Sequence, residues 1–295
     1  MYSVSRWFAS GLMAAAALAA VPGVFGQEAA PVVARKLRVC ADPNNLPFSN
    51  ERQEGFENRI ASLIAKDMGR DVEYFWFPQR EKFFRQTLDR GACDVVMGVP
   101  TGLDEAATTR PYYRSTYVIL SRKASHLDIK SLDDPRLRKL RIGVQILGDE
   151  KDSLPPVHAL IRRGIVKNLV GFSIFGNLTE KDPPADVIRA LGKGKVDVAI
   201  VWGPLGGYFS RESPVPLEVT PLADDAKDPD LLFHFDIAIG VRANDKALRN
   251  VLDEELARRR TEIEDILRSY GIPQITLPAE TAQAGETAGT MGREE

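Results

Sequence analysis

Short apolar strands alternate with amphipathic helices along most of this chain, and that alternation limits the fold more than any other feature. A first unit runs from an apolar strand at 37–41, through helical stretches, to another at 93–99. A second unit begins with a strand at 140–144 and reaches a buried strand at 196–202. Strands joined through helices by short connections predict parallel sheets with helices on both faces.

Two such units predict an α/β clamshell of two doubly wound lobes. The stretch from Tyr112 to Arg122 is expected to cross between them, and the chain is expected to return through Phe235 to Val241 into a long terminal helix, Lys246 to Tyr270. A cleft between the lobes would collect loops from the carboxyl ends of the strands. The predicted boundaries are 36–122 plus 235–278 for lobe 1 and 123–234 for lobe 2.

The first residues predict export. One charge, Arg6, precedes an apolar stretch at 7–21 that ends in small residues, which is typical of a secretory signal over 1–26. The alternative is an uncleaved membrane anchor, but the apolar run falls short of the roughly 20 residues that a bilayer span requires. We expect a linker at 27–35, a disordered, Gly/Ala/Thr/Glu-rich tail at 279–295, and no membrane span after the signal is removed.

Composition and motifs favour neither nucleic-acid binding nor enzyme chemistry. The formal charge is -2, so there is no basic excess for nucleic acid. The three histidines, His126, His158 and His234, are scattered, and no HExxH, GxSxG or Walker pattern is present. The sequence therefore predicts no catalytic residue, no metal site and no cofactor.

The two cysteines, Cys40 and Cys93, lie in or beside strands that are predicted to be neighbours. In an oxidising compartment such a pair can form a disulfide. Sequence alone does not test the geometry that a disulfide requires. A structural disulfide and two separate thiols both stay open at this point.

Polar residues follow the first strand, at the edge that faces the predicted cleft. Asp42, Asn44 and Asn45 offer oxygens that suit a polar ligand or a hard cation. The alternative is an Asx turn, which Asp-Pro-Asn-Asn chemistry favours. No spacing here matches a calcium loop.

Two further clusters follow later strands. Trp76, Gln79 and Arg80 could hold an anion or a planar group, or Trp76 could fill the core while Arg80 pairs with a local carboxylate. The stretch from Trp202 to Tyr208 is interpreted as a Gly-interleaved aromatic loop that lines the cleft, with a plain connector as the alternative. The full predicted cleft lining is Asp42, Asn44, Asn45, Phe48, Phe56, Trp76, Gln79, Arg80, Pro100, Thr101, Gln145, Trp202 and Tyr208.

Several runs resemble a known family. "ADPNNLPFSN", "GFENRIASLIAKDMG", "CDVVMGVPTG" and "KGKVDVAIVWGP" are similar to the family 3 solute-binding proteins of ABC importers, over nearly the whole mature chain. "RVCADPNNLPFSN", "YFWFPQR" and "CDVVMGVPTG" resemble, more narrowly, the MxaJ/XoxJ group of binding-protein-like partners of quinoprotein methanol dehydrogenases. The resemblance implies the type II periplasmic binding protein fold.

The sequence departs from the amino-acid binders of this family at three positions. The family places an Arg shortly after the Thr at a strand end, but Thr101 is followed by Asp104. The family's Gly-Thr after the second-lobe strand is replaced by Ile-Leu after Gln145, and its late Asp by Trp202. A buried ligand carboxylate without a cationic partner is costly. We therefore expect no amino-acid binding.

By resemblance, the expected role is a periplasmic accessory protein that supports a PQQ-dependent methanol dehydrogenase, including lanthanide-dependent types. It would bind the enzyme, its cytochrome c or a small factor during maturation, and would perform no chemistry itself. The alternative is an ABC-importer receptor for a small molecule other than an amino acid. A third hypothesis is an enzyme of the cyclohexadienyl-dehydratase type, which would need an acid/base pair in the cleft.

Overall fold

Twelve strands and seven α-helices form a mixed α/β fold within residues 36–146, 154–174 and 180–276, the part of the chain that the computed structural model describes. The strands are β1 (Leu37–Ala41), β2 (Asn44–Asn45), β3 (Ser49–Asn50), β4 (Val72–Trp76), β5 (Val95–Pro100), β6 (Ala107–Thr108), β7 (Tyr113–Arg122), β8 (Ile142–Ile146), β9 (Leu169–Ser173), β10 (Val198–Trp202), β11 (Leu217–Pro221) and β12 (His234–Val241). The helices are α1 (Phe56–Asp67), α2 (Phe83–Gln86), α3 (Pro155–Arg162), α4 (Asp186–Gly192), α5 (Gly203–Glu212), α6 (Lys246–Arg258) and α7 (Arg260–Ser269). The predicted signal segment, linker and tail lie outside the described residues.

The strands form one main sheet with the order β4-β1-β5-β12-β7-β10-β8-β9, and β2 and β3 form a separate hairpin. In the first half-sheet (β4, β1, β5 and β12), β1 is parallel to both β4 and β5. In the second half-sheet (β10, β8 and β9), β8 is parallel to both of its neighbours. The predicted α/β fold with parallel strands is confirmed.

A single strand, β7, joins the two half-sheets. Its residues 113–116 pair with β12, and its residues 117–121 pair with β10. This strand is the crossover that the sequence predicted at Tyr112–Arg122. The boundaries of two lobes stay a prediction, since both halves are hydrogen bonded into one sheet.

Each half-sheet has its own apolar core. On the first, the fully buried side chains of Phe56, Ile60 and Ile64 recur at the helical spacing of α1 and pack with α6 and α7. On the second, side chains such as Leu137 and Leu160 cover the inner strands. Full burial of such a side chain stabilises the folded state by roughly 1.5–3 kcal/mol. The two cores therefore fix the positions of the strands whose ends form the site.

Two sequence predictions about helices are wrong in part. The segment after Trp202, predicted as a loop, is the helix α5, and the predicted terminal helix is divided at Arg259 into α6 and α7. A side chain at Gly207 would overlap the Gly271 carbonyl oxygen and come within 2.8 Å of Pro273 Cδ. The glycines of α5 therefore permit a close helix contact rather than a turn, which propensity alone does not reveal.

Cys40 and Cys93 are joined by a disulfide with a Cα–Cα distance of 5.5 Å, one of the two states that the sequence left open. It links the end of β1 to the residues that lead into β5. In the described part of the chain, no helix combines the length and the apolar character needed to cross a membrane.

Candidate binding cleft

A cavity of about 310 Å³ lies where the carboxyl ends of several strands meet. Asn45 follows β1, Gln79 follows β4, Pro100 ends β5 and Trp202 ends β10, and all four residues line the cavity. This is the position in which open parallel sheets bind ligands. The volume lies at the small end of the range for ligand pockets, roughly 300–1,000 Å³.

Aromatic rings form much of the cavity wall. They are Phe48, Tyr113, Tyr117, Trp202 and Phe235. The Trp202 ring meets those of Tyr117 and Phe235 edge to face, with centroid distances of 5.3 and 5.9 Å. Trp202 also packs against the cores of both half-sheets. The wall is therefore rich in ring surface and held by both halves of the protein.

Glu57 is the one carboxyl side chain among the described residues that line the cavity, and no Lys, Arg or His accompanies it there. The residue is only 8% exposed, and within the described chain no hydrogen bond reaches its carboxyl group. Burial raises the pKa of Glu57 to about 8. The group is thus mostly protonated near neutral pH.

Gly98 on β5 makes room for this carboxyl. Its φ is +72°, and a side chain there would overlap Glu57 Oε1 and approach Glu57 Cδ at 3.0 Å. The Glu57 carboxyl therefore lies directly over the backbone of β5. Glycine satisfies both the left-handed φ and the close approach.

Tyrosines surround Glu57 instead of cations. Burial is the main cause that raises the pKa of Tyr74, Tyr112 and Tyr113, and the negative charge of Glu57 raises each of them further. The surroundings of Glu57 therefore disfavour its charged form, and no cationic side chain in the described part of the cavity lining compensates that charge.

The polar residues after β1 shape the rim of the cavity. Asp42 Oδ1 accepts a hydrogen bond from the Asn44 amide at 2.8 Å, and Asp42 Oδ2 accepts one from the Gln79 amide at 2.6 Å. The predicted Asx turn is confirmed. Asn45 Nδ2 donates to Gln79 Oε1 at 3.2 Å, so Asp42 and Asn45 together hold the loop after β4 against the β2–β3 hairpin.

Other predicted lining residues support the site from outside it. Gln145 is buried and accepts a hydrogen bond from the Trp202 amide at 3.1 Å, which fixes the end of β10. Phe56 is fully buried in the first core, and Trp76 stacks on Tyr74 with a centroid distance of 4.5 Å. None of these three side chains lines the cavity.

The remaining residues that were predicted to line the cleft lie outside the cavity lining. Asn44 Nδ2 donates to the Glu180 carbonyl at 2.8 Å and belongs to a separate surface depression. Thr101 and Arg80 are exposed and outside the cavity lining. Tyr208 stacks on Tyr270, with a centroid distance of 5.8 Å, on the α5–α7 contact.

Sequence reasoning missed Glu57, although its position carries a signal. Residues Ile60, Ala61 and Ile64 follow it at spacings of three, four and seven, and all are buried. Glu57 is thus a charged residue on the buried arc of an amphipathic helix, where a charge is rarely found. Tyr113 and Tyr117 lie on β7, which the sequence predicts only as a crossover, and no lining residue was predicted there.

Within the described ranges, no group of three or more His, Cys, Asp or Glu side chains is arranged to hold a metal ion. The arrangement is therefore a small cavity with aromatic walls, one buried carboxyl and two amide side chains at its rim. A mixed α/β sheet with a cleft at the strand ends is the architecture of the clamshell fold of periplasmic binding proteins.

Comparison with known proteins gives the family. The chain belongs to the bacterial extracellular solute-binding proteins, family 3, whose family model matches residues 37–272. It is 34% identical to Protein MoxJ of Methylorubrum extorquens over 256 residues, and this aligned region covers 85% of each chain. It is 26% identical over 245 residues to Protein MoxJ of Paracoccus denitrificans, covering 81% of this chain and 89% of the relative.

Solved structures agree with this assignment. The periplasmic binding protein XoxJ from Methylobacterium extorquens is 35% identical with a TM-score of 0.67, over 82% of this chain and 100% of that one. MxaJ from Methlophaga aminisulfidivorans is 28% identical with a TM-score of 0.72, over 81% of this chain and 100% of that one. The resemblance stated from the sequence, including its narrower MxaJ/XoxJ part, is confirmed.

Proposed function

We propose that this protein is a non-catalytic periplasmic binding protein that supports a PQQ-dependent methanol dehydrogenase by binding the enzyme or a small factor during its maturation. The observation that carries the binding role is the aromatic cavity, to which the ends of strands from both half-sheets contribute. The likeness to MoxJ, XoxJ and MxaJ supports the dehydrogenase as the partner.

The cavity lining argues against an amino acid as the ligand. A free amino acid carries a carboxylate, and no cationic side chain among the described lining residues can pair with it. The exposed Asp104 follows Thr101, where amino-acid binders place an Arg. Burying an unpaired carboxylate beside Glu57 would cost several kcal/mol by general estimates.

The lining also argues against catalysis. An elimination or hydrolysis requires a group that removes a proton and one that supplies a proton. Glu57 could fill one of these roles, but the other proton-bearing side chains of the described lining are Tyr113 and Tyr117. Burial raises the pKa of both tyrosines, so neither exchanges a proton readily near neutral pH. We therefore place the protein with binding proteins rather than with dehydratases of the same fold.

An importer receptor for a small non-amino-acid solute is the second candidate, because the cavity has room for a small ligand. Capture experiments separate the two roles. The mature protein, immobilised, is exposed to periplasmic extract of its bacterium at low salt, and bound proteins are identified by mass spectrometry. Enrichment of the dehydrogenase or its cytochrome c, together with a change in dehydrogenase activity when this protein is added, supports the accessory role. No enrichment and no change in activity would reject it and favour the importer.

A further inference from the structure

Glu57 is the feature of the cleft that the accessory role does not explain. A buried carboxyl without a donor is costly, and here it lies in the cavity wall beside Tyr113 and over the backbone of Gly98. Groups held in such surroundings are frequently functional. The missing partner of Glu57 is then expected to come from a ligand.

We propose that the cavity binds a small organic cation, an alkylammonium group whose charge pairs with the Glu57 carboxylate and whose alkyl part lies against the aromatic walls. The proposal rests on the proposed binding role, because it names the ligand class of the same cleft. The ammonium can belong to a free amine or to a lysine side chain of a protein partner, since both present the same chemistry.

The charges of the lining favour a cation over an anion or a neutral molecule. An anion would meet Glu57 and find no Lys, Arg or His in the described lining. A neutral alcohol could accept a hydrogen bond from protonated Glu57, but it carries no positive charge for the ring faces to attract. An ammonium supplies N–H donors to the carboxylate and is attracted to the faces of Trp and Tyr rings.

Binding of a cation must displace a proton. The protonated Glu57 carboxyl gives its proton to the buffer, and the resulting carboxylate pairs with the ammonium, so one positive charge leaves as another enters. Among the described residues, the titratable groups on which the charge of Glu57 acts are Tyr74 on β4 and Tyr112 and Tyr113 at the start of β7. All three are tyrosines with a raised pKa and stay neutral over this range, so the released proton is assigned to Glu57.

Isothermal titration calorimetry with n-butylammonium chloride tests the proposal. This probe matches the end of a lysine side chain, and n-butanol and n-butyrate of the same chain length serve as the neutral and anionic probes. We expect n-butylammonium to bind in preference to both, with affinity that rises from pH 6.5 to pH 9. Titrations at pH 7 in buffers of different ionisation enthalpy should show release of about one proton per ligand.

Two variants locate the site. Glu57→Gln keeps the shape of the side chain and removes the charge, and we expect it to weaken n-butylammonium binding by at least about tenfold. Glu51→Gln removes a carboxyl from an exposed residue outside the cavity lining and should bind as the wild type does. Circular dichroism establishes that both variants are folded. The number of protons released by the wild type on binding is a separate test that needs neither variant.

The outcomes separate this proposal from the proposed function. Three results would each overturn the cation site. Glu57→Gln could bind n-butylammonium as tightly as the wild type, the protein could prefer n-butanol or n-butyrate, or n-butylammonium could bind without releasing a proton. If n-butylammonium binds as expected but no dehydrogenase is captured and dehydrogenase activity does not change, the cation site stands and the accessory role falls. If n-butylammonium also displaces the captured dehydrogenase, the ammonium is a lysine of the partner. If the dehydrogenase stays captured in the presence of n-butylammonium, the cavity binds a free amine.

Discussion

Glu57 is expected to destabilise the folded protein near neutral pH, and Glu57→Gln is therefore expected to stabilise it. Burial raises the pKa of this carboxyl from 4.5 to about 8 in the folded state. Between these two values the unfolded chain has lost the proton while the folded chain still holds it. Stability contributed by the protonated form is complete below pH 4.5 and is lost as the pH rises towards 8.

The size of the effect follows from the difference between the two pKa values. One pKa unit corresponds to 1.36 kcal/mol, so the loss is about 3 kcal/mol at pH 7 and reaches about 4–5 kcal/mol above pH 9. Gln is neutral at every pH and matches the protonated carboxyl in shape. Glu57→Gln and the wild type should then be about equally stable at pH 4.5, and the variant should gain about 3 kcal/mol by pH 7.

Urea unfolding of both proteins at pH 4.5, 7 and 9 measures this difference. The pH effects of all other groups cancel when the two free energies of unfolding are subtracted. Glu51→Gln is the control, because its carboxyl is exposed and its difference from the wild type should stay small at each pH. A difference for Glu57→Gln that does not change with pH, or that turns destabilising above pH 7, would refute the view that Glu57 is an uncompensated carboxyl.

Three further predictions concern the framework around the cleft. Gly207→Ala should lower the free energy of unfolding by about 1–3 kcal/mol, because its methyl group has no room. The control Gly192→Ala, whose new methyl group makes an ordinary contact at 3.7 Å, should be neutral or stabilising by up to about 1 kcal/mol. Denaturant titrations that give both variants the same stability would contradict the predicted crowding at Gly207. Cys40→Ser opens a disulfide that spans 53 residues and should cost about 2–4 kcal/mol, with no further loss when reductant is added to the variant. Arg114 binds Asp236 through two hydrogen bonds of 2.6 and 2.7 Å, so a double-mutant cycle with Arg114→Met and Asp236→Asn should give a coupling energy of about 0.5–3 kcal/mol; a value near zero would show that the pair is energetically silent.

The main features of the fold could be predicted because they depend on local patterns. The apolar strands that became β1, β5, β8 and β10 were visible as short runs between helices, and their connection lengths predicted parallel pairing. The cleft at the strand ends follows from that topology. Asn45, Phe48, Gln79, Pro100 and Trp202 were placed in it from their positions after or at strand ends, and all five line the cavity.

The parts that could not be predicted depend on contacts between distant segments. Helix α5 carries three glycines and a proline, which lower helix propensity, and only its close contact with the Gly271–Pro273 segment shows why they are there. Glu57 looked like an ordinary acidic residue in the first turn of a helix. Its significance comes from Gly98 and from Tyr113, which lie 41 and 56 residues further along the chain.

The sharing of β7 between the two half-sheets has a consequence for the order in which the chain can fold. Strands β8 to β11 come from one continuous stretch of sequence. In that stretch β10 and β11 pair with the later part of β7, and β8 and β9 join the sheet through β10. The first half-sheet needs β12, and its core needs α6 and α7, all of which come from the last quarter of the chain. Pulsed hydrogen exchange during refolding should accordingly protect the amides of β10 before those of β5. The pocket around Glu57 would then be the last part of the protein to close, and a chain interrupted before β12 would have no binding site at all.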